Sequence, residues 1–97
     1  MSHSVLLLHE AIGVARRLGY AVRAEALGGR GGGCRLRGAK WLFLDLADGP
    51  IEQLAVLSEV LLRDEATARV PLSEPLRRHL AAERDRAEDA AARRAAG

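Results

Sequence analysis

Apolar residues recur along the start of the chain at helical spacing. Val5, Leu8, Ile12, Ala15 and Leu18 fall on one stripe, which predicts a helix over about Ser4 to Leu18. Ser2 or Ser4 is placed to cap its start, Arg16 and Arg17 suit the negative end of its dipole, and Gly19 stops it. From Tyr20 the period drops to two: Tyr20, Val22, Ala24 and Ala26 alternate with Arg23, Glu25 and Leu27, the pattern of a strand. After a glycine-rich connection over Gly28 to Gly33, Cys34 to Arg37 alternates apolar and basic residues. A second strand follows, with Cys34 and Leu36 on an apolar face and Arg35 and Arg37 on a wetter one. Free cysteines are usually buried, so Cys34 is expected to be a buried, structural residue. Gly38 and Ala39 read as a tight connection into a third strand, Trp41 to Leu46. It sets Leu42, Leu44 and Leu46 on one face and Trp41, Phe43 and Asp45 on the other. A strand apolar on both sides needs cover on both sides.

Helical signals return after Asp45. Asp48 or Gly49 is a cap, Pro50 a first helical residue, and Ile51, Leu54, Leu57, Val60 and Leu61 form a face to pack on the sheet. The periodicity lapses from Arg63 to Leu72, and Pro71 holds Val70 extended. Ser73 then caps a last helix with Pro75 in its first turn and Leu76 and Leu80 as anchors. These elements predict an α+β fold in the order α-β-β-β-α-α, with a three-stranded antiparallel sheet between one N-terminal helix and two later ones. Residues 1–80 read as a single domain. Residues 81–97 read as a charged, Ala-rich helical extension, with Arg84 and Glu88, and Asp89 and Arg93, paired four apart. No large apolar residue follows Leu80 to fill a coiled-coil seam.

Composition sharpens this picture at three points. Of 97 residues, 48% are hydrophobic but only 3% aromatic, so the core is built from Leu, Val and Ala and is small enough for oligomerisation to help it. One cysteine makes no internal disulfide, which points to a cytoplasmic chain; the run Val5 to Leu8 is too short for a membrane span, and no membrane contact is expected. The net charge is only +2, yet Arg16 to Lys40 holds seven basic residues and one acidic. The rest of the chain holds eight basic and twelve acidic. The basic charge therefore sits on the sheet region.

Catalytic, metal and cofactor sites have little support. His3 and His9 have no Cys or acidic residue at ligand spacing. The Gly28 to Gly33 run is followed by a strand, whereas a phosphate cradle requires a helix N-terminus directly after it. Cys34 lies beside Arg35 and Arg37 but has no His or resolving Cys nearby in sequence, so nucleophilic chemistry has no visible support.

Two resemblances span parts of the chain. The order helix, three strands, helix over about Val5 to Leu62 resembles, distantly, the core of PD-(D/E)xK nucleases. Matching the hairpins sets Arg35 at the metal-binding Asp position, Asp45 at the Glu and Ala47 at the Lys. A metal nuclease requires clustered carboxylates and that Lys, so the likeness implies shape without catalysis. Gly32 to Gly38, Leu42 to Asp45, Glu52 to Leu54 and Pro71 to Leu72 resemble a family of small bacterial proteins with a Gly-Gly-x-Cys-Arg-x-Arg-Gly hairpin and a Leu-Phe-Leu-Asp strand. That likeness implies no activity.

The expected function is thus a non-enzymatic protein interaction or assembly module. The candidate surface is Arg23, Arg35, Arg37, Trp41, Phe43 and Asp45. Covering Trp41 and Phe43 calls for a homodimer through the Trp41 to Leu46 strand, edge to edge or face to face, since a meander leaves that strand at an edge. One alternative is a nucleic-acid binder in which Trp41 and Phe43 stack on bases and the arginines track phosphate. A catalytically degenerate nuclease-like domain is another.

Overall fold

The computed structural model describes residues 2–97. In chain order it contains α1 (His3–Arg17), β1 (Tyr20–Glu25), β2 (Gly32–Leu36), β3 (Ala39–Asp45), α2 (Pro50–Arg63), a 3-10 turn over Glu65–Arg69, and α3 (Glu74–Ala96). The helix ends follow the local chemistry. The Ser2 hydroxyl accepts from the Val5 N–H at 3.2 Å to open α1, and Gly19 closes it at φ 98°. Ser73 opens α3 in the same way, accepting from the Leu76 N–H at 3.2 Å. The Ser73 N–H in turn donates to the Glu10 carboxylate at 2.8 Å, which ties α3 to α1.

The α1 face that is buried consists of Leu7, Leu8, Ala11, Val14 and Ala15. Val5, Ile12 and Leu18 lie half-buried at its margins, because α1 packs against both β1 and α2 and the two neighbours pull its centre round. On α2 the buried face is Leu54, Val56, Leu57, Ser58 and Leu61. Ile51, one turn before that face begins, is 69% exposed rather than packed on the sheet.

The sheet order is β1-β3-β2, with β1 parallel to β3 and β2 antiparallel to it. It is mixed rather than wholly antiparallel, and β3 is its centre rather than an edge. The strand with the longest apolar run takes the position where both backbone edges are paired, which leaves the Ala- and Gly-rich strands outside. To permit this, the chain leaves β1 and passes the C-terminal end of β3 to reach the far side. Gly31 completes that passage so close to β3 that a Cβ there would lie 2.1 Å from the Phe43 carbonyl oxygen.

β2 and β3 form a hairpin closed by Arg37 and Gly38, at φ 53° and 81°, between the paired residues Leu36 and Ala39. Two positive φ values in a two-residue loop define a type I′ turn, one residue earlier than the expected Gly38 and Ala39 connection. Arginine is a poor occupant of the left-handed region, whereas asparagine tolerates it. Arg37→Asn is therefore expected to stabilise the domain by up to about 1 kcal/mol, read as a higher urea midpoint at unchanged slope.

Leu42 and Leu44 face the helices and join Leu57, Leu61, Leu76 and Leu80 in the core. α3 packs on α1 and α2 rather than on the sheet. Among the described residues no helix is long and apolar enough to cross a membrane.

Candidate functional site

The strand register sorts the sheet residues into two faces. Leu42 and Leu44 point to the helices, so Trp41 and Phe43 point away, and with them Ala21 and Arg23 of β1 and Cys34 and Leu36 of β2. Among the described residues no helix lies over this second face. The Trp41 and Phe43 rings stack at 5.9 Å between centroids with planes 8° apart, and the Arg23 guanidinium lies 5.9 Å from the Trp41 centroid. Arg23 also pairs with Glu25 at 3.1 Å on the same strand. The face is thus apolar at its centre and neutral at its rim.

Of the six candidate residues, this face brings together Arg23, Trp41 and Phe43. Arg35 pairs in register with Lys40 and so points to the helix side, and Arg37 stands in the hairpin turn. Asp45 shares the parity of Trp41 and Phe43 but is only 6% exposed at the end of the strand, where its Oδ1 accepts from the Ala47 N–H at 3.0 Å to shape the exit from β3. Alternation along β2 was legible, but the face that receives the helices was the reverse of the expected one. Cys34 is consequently exposed, not buried, and Leu36 is 59% exposed. By the same parity Arg35 and Asp45 lie on opposite sides of the sheet, and β1 forms no hairpin with β2. The positions that the nuclease resemblance aligns therefore do not converge.

On the helix side, a polar cluster crosses the sheet in the row Tyr20, Lys40, Arg35. Lys40 Nζ donates to Asp64 Oδ2 at 3.0 Å and to the Leu18 carbonyl at 2.9 Å, and it sits 4.3 Å from the centroid of the Tyr20 ring. The Tyr20 hydroxyl donates to the same Asp64 oxygen at 3.0 Å. Asp64 Oδ1 accepts from the Ala66 N–H at 3.0 Å and caps the 3-10 turn. The Lys40 hydrogen bond, followed by the Ala66 N–H, holds the Asp64 carboxyl below the usual carboxylate range. Burial first, and then Asp64, push the Tyr20 phenol up.

This cluster was not anticipated from the sequence. Its one local signal is an acidic residue at the carbonyl end of α2, where the helix dipole disfavours it unless a cation lies close.

Beside the cluster a cleft of about 650 Å³ opens between β2 and the C-terminal half of α2. Arg30 reaches across it to Glu59, which also pairs with Arg63 one turn further along α2.

Comparison of the chain with protein-family models, with curated proteins and with solved structures finds no match. The functional reading therefore rests on these two surfaces.

Proposed function

We propose that the protein is an interaction module that assembles with a second copy of itself through the uncovered sheet face. The observation carrying this reading is the stacked Trp41 and Phe43 pair on a face that no helix covers. β3 is central, so pairing along its own edge is not open to a partner; face-to-face contact is. The charge of the face suits a copy of itself. Arg23 and Glu25 neutralise one another, and a two-fold axis allows each to exchange partners across the contact without like-charge repulsion.

A polyanion finds a poorer match. Only Arg23 stands beside the rings, and it is already paired, whereas Arg35 is on the opposite side. The nucleic-acid reading thus loses the cations that gave it force.

The face measures roughly 15 Å by 17 Å, taking three strands of about five residues each. Even with its rim, such a contact belongs among the small specific interfaces, below about 1,200 Å² in total. Self-association in the micromolar range is the consequence.

Light scattering across a concentration series tests this directly. Mass should rise from one chain towards two over tens to hundreds of micromolar. Phe43→Glu should hold the protein at one chain throughout, since burying such a ring contributes about 1.5–3 kcal/mol. Leu36→Glu, at an exposed position that the folded monomer tolerates, should weaken association in the same direction. A parent mass fixed at 10.4 kDa over the whole range would overturn the proposal.

A further inference from the structure

The free edge of β2, on the other side of the sheet margin from the dimer face, points to a second kind of partner. We propose that it takes up an extended, acidic segment of another protein as a fourth strand. β2 is hydrogen-bonded along one edge only, to β3, so its outer N–H and C=O groups are unpartnered among the described residues. Edge strands are usually guarded by charge, proline, bulges or a covering element. The approach to this one, Gly31 to Gly33, carries no side chain at all. Two of the three glycines have internal reasons, since a Cβ at Gly31 would strike the Phe43 carbonyl and one at Gly33 would press on Val60 at 3.3 Å. Gly32 has none; a Cβ there meets nothing within 4 Å. The result is a bare ribbon of backbone bordering the cleft of about 650 Å³.

The chemistry of the edge selects the class of ligand. Donors and acceptors alternate along it at a fixed spacing, and the complement of such a row is another extended backbone. A phosphate chain meets the N–H groups but is repelled by the carbonyls between them.

Charge then selects among peptides. From Ala26 to Leu44 the chain has four cations, Arg30, Arg35, Arg37 and Lys40, and no acidic residue. Lys40 is held by Asp64, and Arg30 shares Glu59 with Arg63. Arg35 lines the cleft and has no ion pair among the described residues, which leaves it free for an incoming carboxylate. Among the described residues Glu65 is the one unpaired carboxylate in the cleft, and the four cations there face three acids, so the balance stays positive.

The test uses the intact chain and a fluorescein-labelled octapeptide of alternating Glu and Val, followed by anisotropy and by amide shifts in two-dimensional NMR. The expected result is saturable binding with shifts concentrated at residues 31–36. Arg35→Glu should weaken it by about tenfold or more, since it exchanges an attraction for a repulsion. Arg35→Ala, the milder variant, should fall between. The same peptide methylated at alternate backbone nitrogens keeps its charge but loses its donors, and its binding should be lost. No binding, equal binding of the methylated peptide, or indifference to Arg35 would each overturn the proposal. The titration is repeated on Phe43→Glu, which removes association through the Trp41 and Phe43 face; shifts at 31–36 that follow protein concentration in that variant with no peptide present would also overturn the proposal, assigning the edge to a second copy. Read in that variant, none of these outcomes depends on the Trp41 and Phe43 face.

Discussion

Replacing Gly31 with alanine is expected to destabilise the domain by about 3 kcal/mol or more. The added Cβ would lie 2.1 Å from the Phe43 carbonyl oxygen and 3.0 Å from its carbon, and both are backbone atoms of the central strand. A flexible side chain can swing aside, but backbone held by hydrogen bonds on both edges cannot move without loosening both ladders. Gly32→Ala, one residue later, is the internal control. Its Cβ enters open space, so the cost should stay within about 0.5 kcal/mol. Urea titration of the two variants beside the parent checks the contrast. Equal midpoints for the two would show that the passage from β1 to β2 is looser than the structure has it.

The second large effect is expected at Asp64. Asp64→Ala removes the acceptor for the Lys40 ammonium and the Tyr20 hydroxyl and uncaps the Ala66 N–H, leaving a half-buried cation with only the Leu18 carbonyl. Hydrogen bonds to charged groups contribute about 1.5–3 kcal/mol and a helix cap about 1, so a total loss of about 2–4 kcal/mol is expected. In a domain of this size that lowers the melting temperature by at least about 10 °C. The pH profile identifies the cause. Because the Asp64 carboxyl is held below its usual range, its contribution is complete above about pH 5, where the unfolded chain's Asp is already ionised. It is lost as the pH falls through the lowered folded value. The Tyr20 phenol is pushed the other way, so its contribution is complete below about pH 10 and fades as the pH rises through the raised folded value. Stability of the parent should therefore decline at both extremes. Asp64→Ala should decline less at the acid end, and an unchanged acid limb in that variant would count against the Lys40 and Asp64 pair.

What the sequence made legible was local. Ser2, Gly19, Pro50 and Ser73 mark helix ends through groups a few residues away, and the structure uses each of them. The two-residue period of β2 and β3 was equally plain. Strand order was not, because the alternation in β1 is the same whether its neighbour is β2 or β3, and the choice depends on how a loop of glycines is routed around the end of the sheet. The sidedness of β2 was hidden for a related reason. Alternation separates Cys34 and Leu36 from Arg35 without saying which side the helices occupy, and the Arg35 stem fits beside Tyr20 and Lys40 as readily as a leucine fits an open face. The candidate surface split along this line, keeping Arg23, Trp41 and Phe43 together and sending Arg35 to the cleft. The Asp64 cluster joins residues 24 and 44 positions apart in the chain, a separation no sequence window spans.

The placement of β3 between two strands that precede it also sets an order of events as the chain folds. β1 leaves the synthesis machinery first and, with no β1–β2 ladder in the native sheet, has no native strand neighbour until residue 45 has emerged. The β2–β3 hairpin, closed by two residues, forms on the microsecond scale without help, and β1 is then expected to add to it as a separate and later step. Until that moment β1 has only α1 to lie against, and the last strand made is the one that turns three segments into a sheet.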